Sequence, residues 1–229
     1  MTTPATTVTD ALETRLSVRD FLPTAVPMDT IRQVLATASR APSGGNVQPW
    51  RIDVVSGARL DALKAIMQRR LAEVAAGDRS ESPEYDIYPK ELVSPHRDYR
   101  FKIGEDMYAR LGIPREDKAK RLQWFARNYQ FFGAPVALFC SVDRRMGPPQ
   151  WSDLGMFLQT FMLLAVEQGL ATCAQEYWSV RHGAIRAFVG APQEEMLFCG
   201  MSIGRADSAA PINALRSERM PLEQWATFV

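Results

Sequence analysis

The sequence predicts an α+β chain, read as one domain over residues 1–229. Three observations carry that expectation. Segments of helical period alternate with short apolar runs along nearly the whole chain. Two of those runs, Pro135–Ser141 and Met196–Ile203, stay apolar instead of alternating, the pattern of strands covered on both faces. No repeat, low-complexity tract or shift of composition divides the chain.

The elements follow in order. Val8–Arg15 reads as a short helix. Arg15–Arg19 reads as extended, and the two-residue period then puts Arg15, Ser17 and Arg19 on one side with Leu16 and Val18 toward a core. Pro27-Met28-Asp29 opens a helix with Asp29 as N-cap and an apolar stripe of Ile31, Val34, Leu35 and Ala38. A loop, Ala41–Trp50, leads into a strand at Trp50–Ser56, and a helix over Ala58–Ala76 comes next. The pattern breaks from Gly77 to about Arg100, where Pro83, Pro89 and Pro95 interrupt it. An irregular segment of that length inside a compact domain reads as a lid, and the lid or insert is placed at 77–112. Helices are expected at Phe101–Leu111 and Pro114–Tyr129, with Pro114 at the first helical position. Gln150–Gln168 is the most apolar helix and stops at Gly169. A strand over Leu170–Gln175 and a helix capped by Ser179 precede the last strand. The final stretch, 205–229, has little periodicity but ends in Trp225 and Phe228, so it must dock somewhere, a second copy being the natural place. Residues 1–8 are expected to be flexible.

Composition excludes several function classes. A net charge of +1 offers no basic field for nucleic acid or an anionic membrane, and no apolar run approaches the ~20 residues of a membrane span. The Thr-rich start lacks the charged and apolar regions of a signal peptide, so a cytoplasmic protein is expected. Cys140, Cys173 and Cys199 lack metal or CxxC spacing and read as small buried hydrophobes. The two histidines, His96 and His182, form no metal-ligand motif, so no metal site is expected. No catalytic side chain is identified. If the chain is an enzyme, something other than the polypeptide carries its reaction.

Three distant elements point to one ligand. Arg15, Ser17 and Arg19, joined by the late Arg219, suit a phosphate, because guanidinium binds it bidentately and stays charged. Ala41-Pro42-Ser43-Gly44-Gly45-Asn46-Val47-Gln48-Pro49-Trp50 spends two Gly and two Pro on a defined backbone, and its Ser43, Asn46 and Gln48 suit the polar edge of a flat ring. With neither GxGxxG nor GxxxxGK[ST] present, a phosphate held by scattered arginines fits a mononucleotide. Among the aromatics after the irregular segment, Trp124 and Phe125, with Tyr88 in that segment, are candidate clamps for a flat ligand. His96, Arg97 and Arg100 read either as solvated charges or as a preference for an anionic aromatic.

The chain resembles the FMN-dependent nitroreductase family. The resemblance rests on Arg15–Phe21, on Ala41–Trp50, on Gly169-Leu170-Ala171-Thr172-Cys173-Ala174-Gln175, and on Asn213–Leu222, in the family's order. The segment Tyr108–Val136 is similar to members that reduce nitrobenzoates and related nitroaromatics. The resemblance implies a three-layer α/β/α fold with a mixed central sheet and helices on both faces. It implies a homodimer whose C-terminal tail wraps the partner, with FMN bound non-covalently between subunits. It places Arg15, Leu16, Ser17, Arg19, Arg219 and Arg216 at the FMN phosphate end. Pro42, Ser43, Asn46 and Gln48 would lie near the ring, and Ala174, Gln175 and Glu176 would contact it through backbone and side chains. Trp124, Phe125, Tyr88 and Arg100 are the substrate candidates. The implied activity is NAD(P)H-dependent reduction of nitroaromatics, two electrons at a time with ping-pong kinetics. Reduction of quinones or enones, reductive dehalogenation, and flavin binding without turnover are the alternatives. The chain departs from many relatives at Leu16, Ala174, Arg205 and Ser217.

Overall fold

A computed structural model describes residues 6–78 and 80–229. The expected flexible start over 1–8 falls mostly outside them. At the centre lie two long strands, β3 (Val136–Asp143) and β5 (Glu195–Ala206), paired antiparallel with Phe139 opposite Gly200. β2 (Arg51–Ser56) flanks β3, while β4 (Ala171–Gln175) and the short β1 (Phe21–Leu22) pair with β5. These four ladders are antiparallel. One isolated parallel bridge, Ser17 to Thr172, lies outside these strands, so they form an antiparallel sheet where a mixed one was expected.

Alternation along β3 builds the layers. Val136, Leu138, Cys140 and Val142 face one core with α2 (Met28–Ala38) and α6 (Pro148–Glu167). Ala137 and Phe139 face the other, with α3 (Gly57–Ala75), Trp178 and Ile185 of α7 (His182–Val189). Both faces are therefore covered, which is why β3 reads as an unbroken apolar run. The helix of highest apolar content, α6, buries Leu154, Phe157, Leu158, Phe161 and Ala165 at spacings of three and four. Trp50 stacks on Phe157 with centroids 4.9 Å apart. A Cβ at Gly200 would come within 2.3 Å of the Trp178 ring, so only glycine lets that ring lie on β5.

Several local expectations change. Asp29 lies in the first turn of α2 without capping it, and Pro27 occupies the cap position. Helix α4 begins at His96, five residues earlier than expected. Pro114 opens a turn, and α5 (Lys118–Ala126) starts after Asp117, whose carboxylate accepts the Lys120 N–H. Ser179 is fully buried inside a 3-10 turn, and α7 starts three residues later. Asp29 and Ser179 both carry capping chemistry that goes unused, since a cap is worth only about 1 kcal/mol and packing outweighs it.

The expected lid also divides. Glu81 pairs with Arg70 and the buried Arg181, Glu84 pairs with Arg144, and the Tyr85 hydroxyl donates to the Phe198 carbonyl. Tyr85 packs against Trp151 and Phe198. Residues 81–85 are thus fastened to the body. Any moving segment is left to the residues beyond them. All three cysteines are buried and free, as expected. Burial raises the Cys140 and Cys173 thiols and pushes Cys199 up to about 12, so none is poised to react.

Candidate cofactor and substrate site

The arginine block is positioned by the edge of the sheet. After α1 (Val8–Thr14) the chain turns extended at Arg15 and runs beside β4, where the Val18 N–H donates to the Thr172 carbonyl at 3.0 Å. Val18 is buried, Leu16 packs on the second core, and Ser17 stays exposed, as the two-residue period requires. The tail returns to the same place because Asn213 clasps it. The Asn213 side chain accepts the Arg19 N–H and donates to the carbonyls of Asp20 and Asp207, at 2.8–2.9 Å. Arg216 then donates to the Glu13 carbonyl at 2.7 Å. No sequence pattern marks Asn213 as that clasp.

The result is a cavity of about 350 Å³ lined by Arg15, Leu16, Ser17, Arg19, Arg216 and Arg219, with Ile103 of α4 (His96–Arg110) at its border. The residues expected at the phosphate end line it together. Among the described residues no carboxylate forms an ion pair with any of these four arginines. Arg15 Nε is buried with no hydrogen-bond partner. Burial, then the like charges of Arg219 and Arg216, pull the Arg15 guanidinium below its ordinary value, though arginine stays charged. Like charges gathered without a counter-ion are unfavourable until an anion arrives. The donor set and the unused Nε fit a phosphate monoester, and hence the phosphate end of FMN.

From that cavity β4 leads toward the expected ring position. Ala174 and Glu176 point outward, while Cys173 and Gln175 point in. Glu176 keeps solvent contact, yet its crowded surroundings raise the carboxyl above the usual range by desolvation. Gln175 differs from its expected role. Its side chain is buried and its amide is fully used: Ser202 Oγ donates to Oε1 at 2.6 Å, and Nε2 donates to the Asn128 carbonyl and Oδ1 at 2.8 and 3.2 Å. Only its backbone is left for a cofactor.

The aromatic candidates form two groups. Phe125 meets the exposed Tyr177 ring edge-on at 4.5 Å, and Trp124 lies under the Arg127 guanidinium at 4.6 Å. Asp20 holds Arg127 with two hydrogen bonds of 3.0 and 3.1 Å, which ties Trp124 back to the residue after Arg19. Tyr88 and Arg100 form a second, exposed pair, with the guanidinium 4.1 Å over the ring. Arg97 is paired with Asp98, so it is not a free charge for a substrate.

The loop 41–50 holds the backbone its composition suggested. Gly45, Asn46 and Gln48 all have positive φ, at 58°, 58° and 48°. Glycine and asparagine tolerate this region. Ser43 Oγ accepts the Gln48 N–H at 3.0 Å, and the Gln48 amide donates to the Asn46 carbonyl at 3.1 Å. The Gly44 N–H points at both oxygens of the buried Asp153 at 3.3 Å, anchoring the loop near the start of α6. Pro42, Ser43, Asn46 and Gln48 do not line the arginine cavity. Val166, at the far end of α6, borders a cavity with Arg15 and Leu16. Thirteen residues of helix separate Asp153 from Val166, a rise of roughly 20 Å. Within one chain, the loop and the arginines are held at opposite ends of α6.

A family model described as the Nitroreductase family matches residues 12–205. The chain belongs to the nitroreductase family. This nitroreductase is 34% identical over 226 residues to a nitrobenzene nitroreductase of Ectopseudomonas oleovorans, covering 97% of this chain and 96% of the relative. It is 35% identical over 215 residues to a 4-nitrobenzoate reductase of Pseudomonas putida, covering 94% and 92%. A crystal structure of the FMN and NADPH-dependent nitroreductase NfnB from "sphigopyxis sp. strain HMH" superposes with a TM-score of 0.93 at 44% identity, covering 98% of this chain and 99% of that one. The three-layer architecture expected from the sequence is the nitroreductase fold.

Proposed function

We propose that the arginine cavity holds the FMN phosphate and that the outward face of the β4 end holds the ring. The chain is an NAD(P)H-dependent oxidoreductase that uses FMN to reduce nitroaromatic compounds. The observation that carries the site assignment is the group of four arginines without a carboxylate partner, one with a buried, unused Nε. FMN held there would supply hydride acceptance from the nicotinamide and two-electron delivery to the nitro group, for which ping-pong kinetics are expected. The protein's own part is to bind and orient. Arg15, Arg19, Arg216 and Arg219 neutralise the phosphate, and Ser17 offers a hydroxyl. Backbone at Ala174–Glu176 borders the ring, and Trp124 and Phe125 form a wall for the flat acceptor.

The homodimer belongs to the same proposal. Ser43, Asn46 and Gln48 serve the ring from a second copy, because their own chain anchors their loop at Asp153, roughly 20 Å of helix from Val166 beside Arg15. The tail supplies a reason for association: Leu222, Trp225 and Phe228 are exposed, Phe228 at 85%. An exposed aromatic tail fits a partner surface better than water. In this reading 205–229 wraps the second copy, and residues 86–112 act as the lid of a single domain. No described helix is long and apolar enough to cross a membrane, and the cytoplasm is the proposed location.

A nitrobenzoate-like acceptor is the finer proposal, supported by the Arg100–Tyr88 pair, which couples a charge to a ring face. Arg100→Ala should then raise the Michaelis constant for nitrobenzoate and spare that for nitrobenzene; both moving together would remove the idea. The test of the whole reading is anaerobic. The purified protein is reduced by NADH or NADPH, then reoxidised with nitroaromatics, quinones and halophenols. Bleaching of the flavin and fast return with nitroaromatics are expected. A colourless protein that takes up no FMN overturns the reading.

A further inference from the structure

Gln175, buried, and Asn128, half-buried, form a polar line that the binding roles above leave unused. The line starts at Ser202 Oγ, which is fully buried on β5, passes through the Gln175 amide on β4, and reaches the carbonyl and side chain of Asn128. Asn128 Nδ2 then donates to the Phe125 carbonyl at 2.8 Å. That carbonyl lies in the last turn of α5, where the Arg127 N–H also reaches it, so the Asn128 amide adds a side-chain tie to the helix end. A buried amide is costly unless its donors and acceptors are met, and here both ends of Gln175 are met in one geometry.

The line joins two parts of the proposed site. Gln175 lies between Ala174 and Glu176, the two outward residues of the β4 end, and Phe125 carries the ring that abuts Tyr177. The chain just beyond Asn128 is held by packing. Phe131 and Phe132 are buried with positive φ of 52° and 53°, and Phe131 stacks on Trp178 at 4.6 Å. Aromatic residues adopt that backbone only where packing over-determines it.

We infer that Gln175 and Asn128 are positioning residues that set the distance between the β4 end and the Phe125 wall, and so the placement of the electron-accepting aromatic over the flavin. This rests on the site assignment proposed above. Gln175 then acts through the backbone it holds, and its side chain does not bind the cofactor. A misplacement of about 1 Å is enough to slow a step that depends on approach geometry by tenfold or more.

The test compares Asn128→Asp with Gln175→Leu in the FMN-loaded protein. Asn128→Asp keeps acceptors for Gln175 Nε2 but replaces the donor to the Phe125 carbonyl with a carboxylate oxygen. Three readings are taken: amide exchange of residues 124–128, the FMN dissociation constant, and the two half-reactions by stopped flow. Expected are faster exchange at the end of α5, FMN affinity within about threefold, flavin reduction by NADPH within about twofold, and reoxidation by a nitroaromatic slowed about tenfold in both variants. Reoxidation by ferricyanide, which needs no aromatic wall, should not change. Loss of FMN on Gln175→Leu would return Gln175 to the cofactor contacts and overturn the inference, as would unchanged exchange with unchanged half-reactions. If Gln175→Leu does not fold, Asn128→Asp decides alone. Phe125→Leu separates the two claims. If it leaves nitroaromatic reoxidation intact, the wall assignment fails, while exchange in Asn128→Asp still reports whether the tether exists.

Discussion

Two groups of arginines in this protein use the same chemistry to opposite ends. Arg70, Arg144 and Arg181 are each met by carboxylates, chiefly Glu81 and Glu84, and they fasten residues 81–85 to the body. Hydrogen bonding to Glu81 leads the causes that raise Arg70 above its ordinary value. Arg15, Arg216 and Arg219 face one another across a cavity, and Arg15 moves the other way through burial and like charge. The first group is a finished structural unit. The second is unfinished, and its electrostatics ask for an anion. Counting arginines would not separate them; asking which have partners does.

The sharpest break comes from the unfinished group. Arg15→Ala with Arg219→Ala should weaken FMN binding about 10³-fold, since each charge-assisted contact is worth roughly 2 kcal/mol. Titration of apoprotein by flavin fluorescence reads this directly, and an unchanged dissociation constant would mean that the cavity binds something else. The complementary change is Glu81→Gln, which strips the carboxylate from the buried Arg181. It should cost about 3 kcal/mol, a fall in Tm of roughly 6–12 °C for a chain this long. FMN affinity should be preserved. A variant that lost flavin while keeping its Tm would collapse the distinction between the two groups.

Smaller effects sharpen the picture. Ser43→Ala with Asn46→Ala should weaken FMN about tenfold or shift its midpoint potential, seen by titration and spectroelectrochemistry; no change in either returns the loop to a plain connection. The smallest effect is on pH dependence. Burial raises the Asp53 carboxyl, and its Oδ2 has no partner. A carboxyl raised in the folded state supports stability below its unfolded value and loses that support as pH rises through the folded value. Asp53→Asn should therefore raise Tm at pH 7 by about 2 °C and leave it nearly unchanged near pH 3.5. Thermal scans at the two pH values would contradict this if the gain appeared at the acid end.

Much of this was legible along the chain. The two-residue period of Arg15–Arg19 correctly separated Val18 from Ser17, and the apolar runs of β3 and β5 marked a sheet covered twice. Positive φ at Gly45 and Asn46 agrees with the loop's composition. Less legible were positions where local chemistry offered more than one outcome. Pro114, Asp29 and Ser179 are all good helix starters, and each was displaced by a neighbour or by packing. The span 77–112 looked uniformly irregular, yet Glu81, Glu84 and Tyr85 found partners 60 to 113 residues away.

The sequence by itself marked the doubly covered strands, carried the resemblance to the family and singled out the arginines proposed for the phosphate. The strands follow from periodicity and the arginines from side-chain type, which are local properties, while the family follows from four motifs in order. Only the tertiary structure decided which polar groups were already satisfied. The Gln175 side chain looked like a cofactor contact and is consumed by Ser202 and Asn128; Arg15, a candidate from its spacing alone, keeps a buried, unused Nε. It also decided that α6 holds the loop and the arginines at its opposite ends. Hydrogen-bond satisfaction and distance depend on partners far along the chain, and no local pattern encodes them.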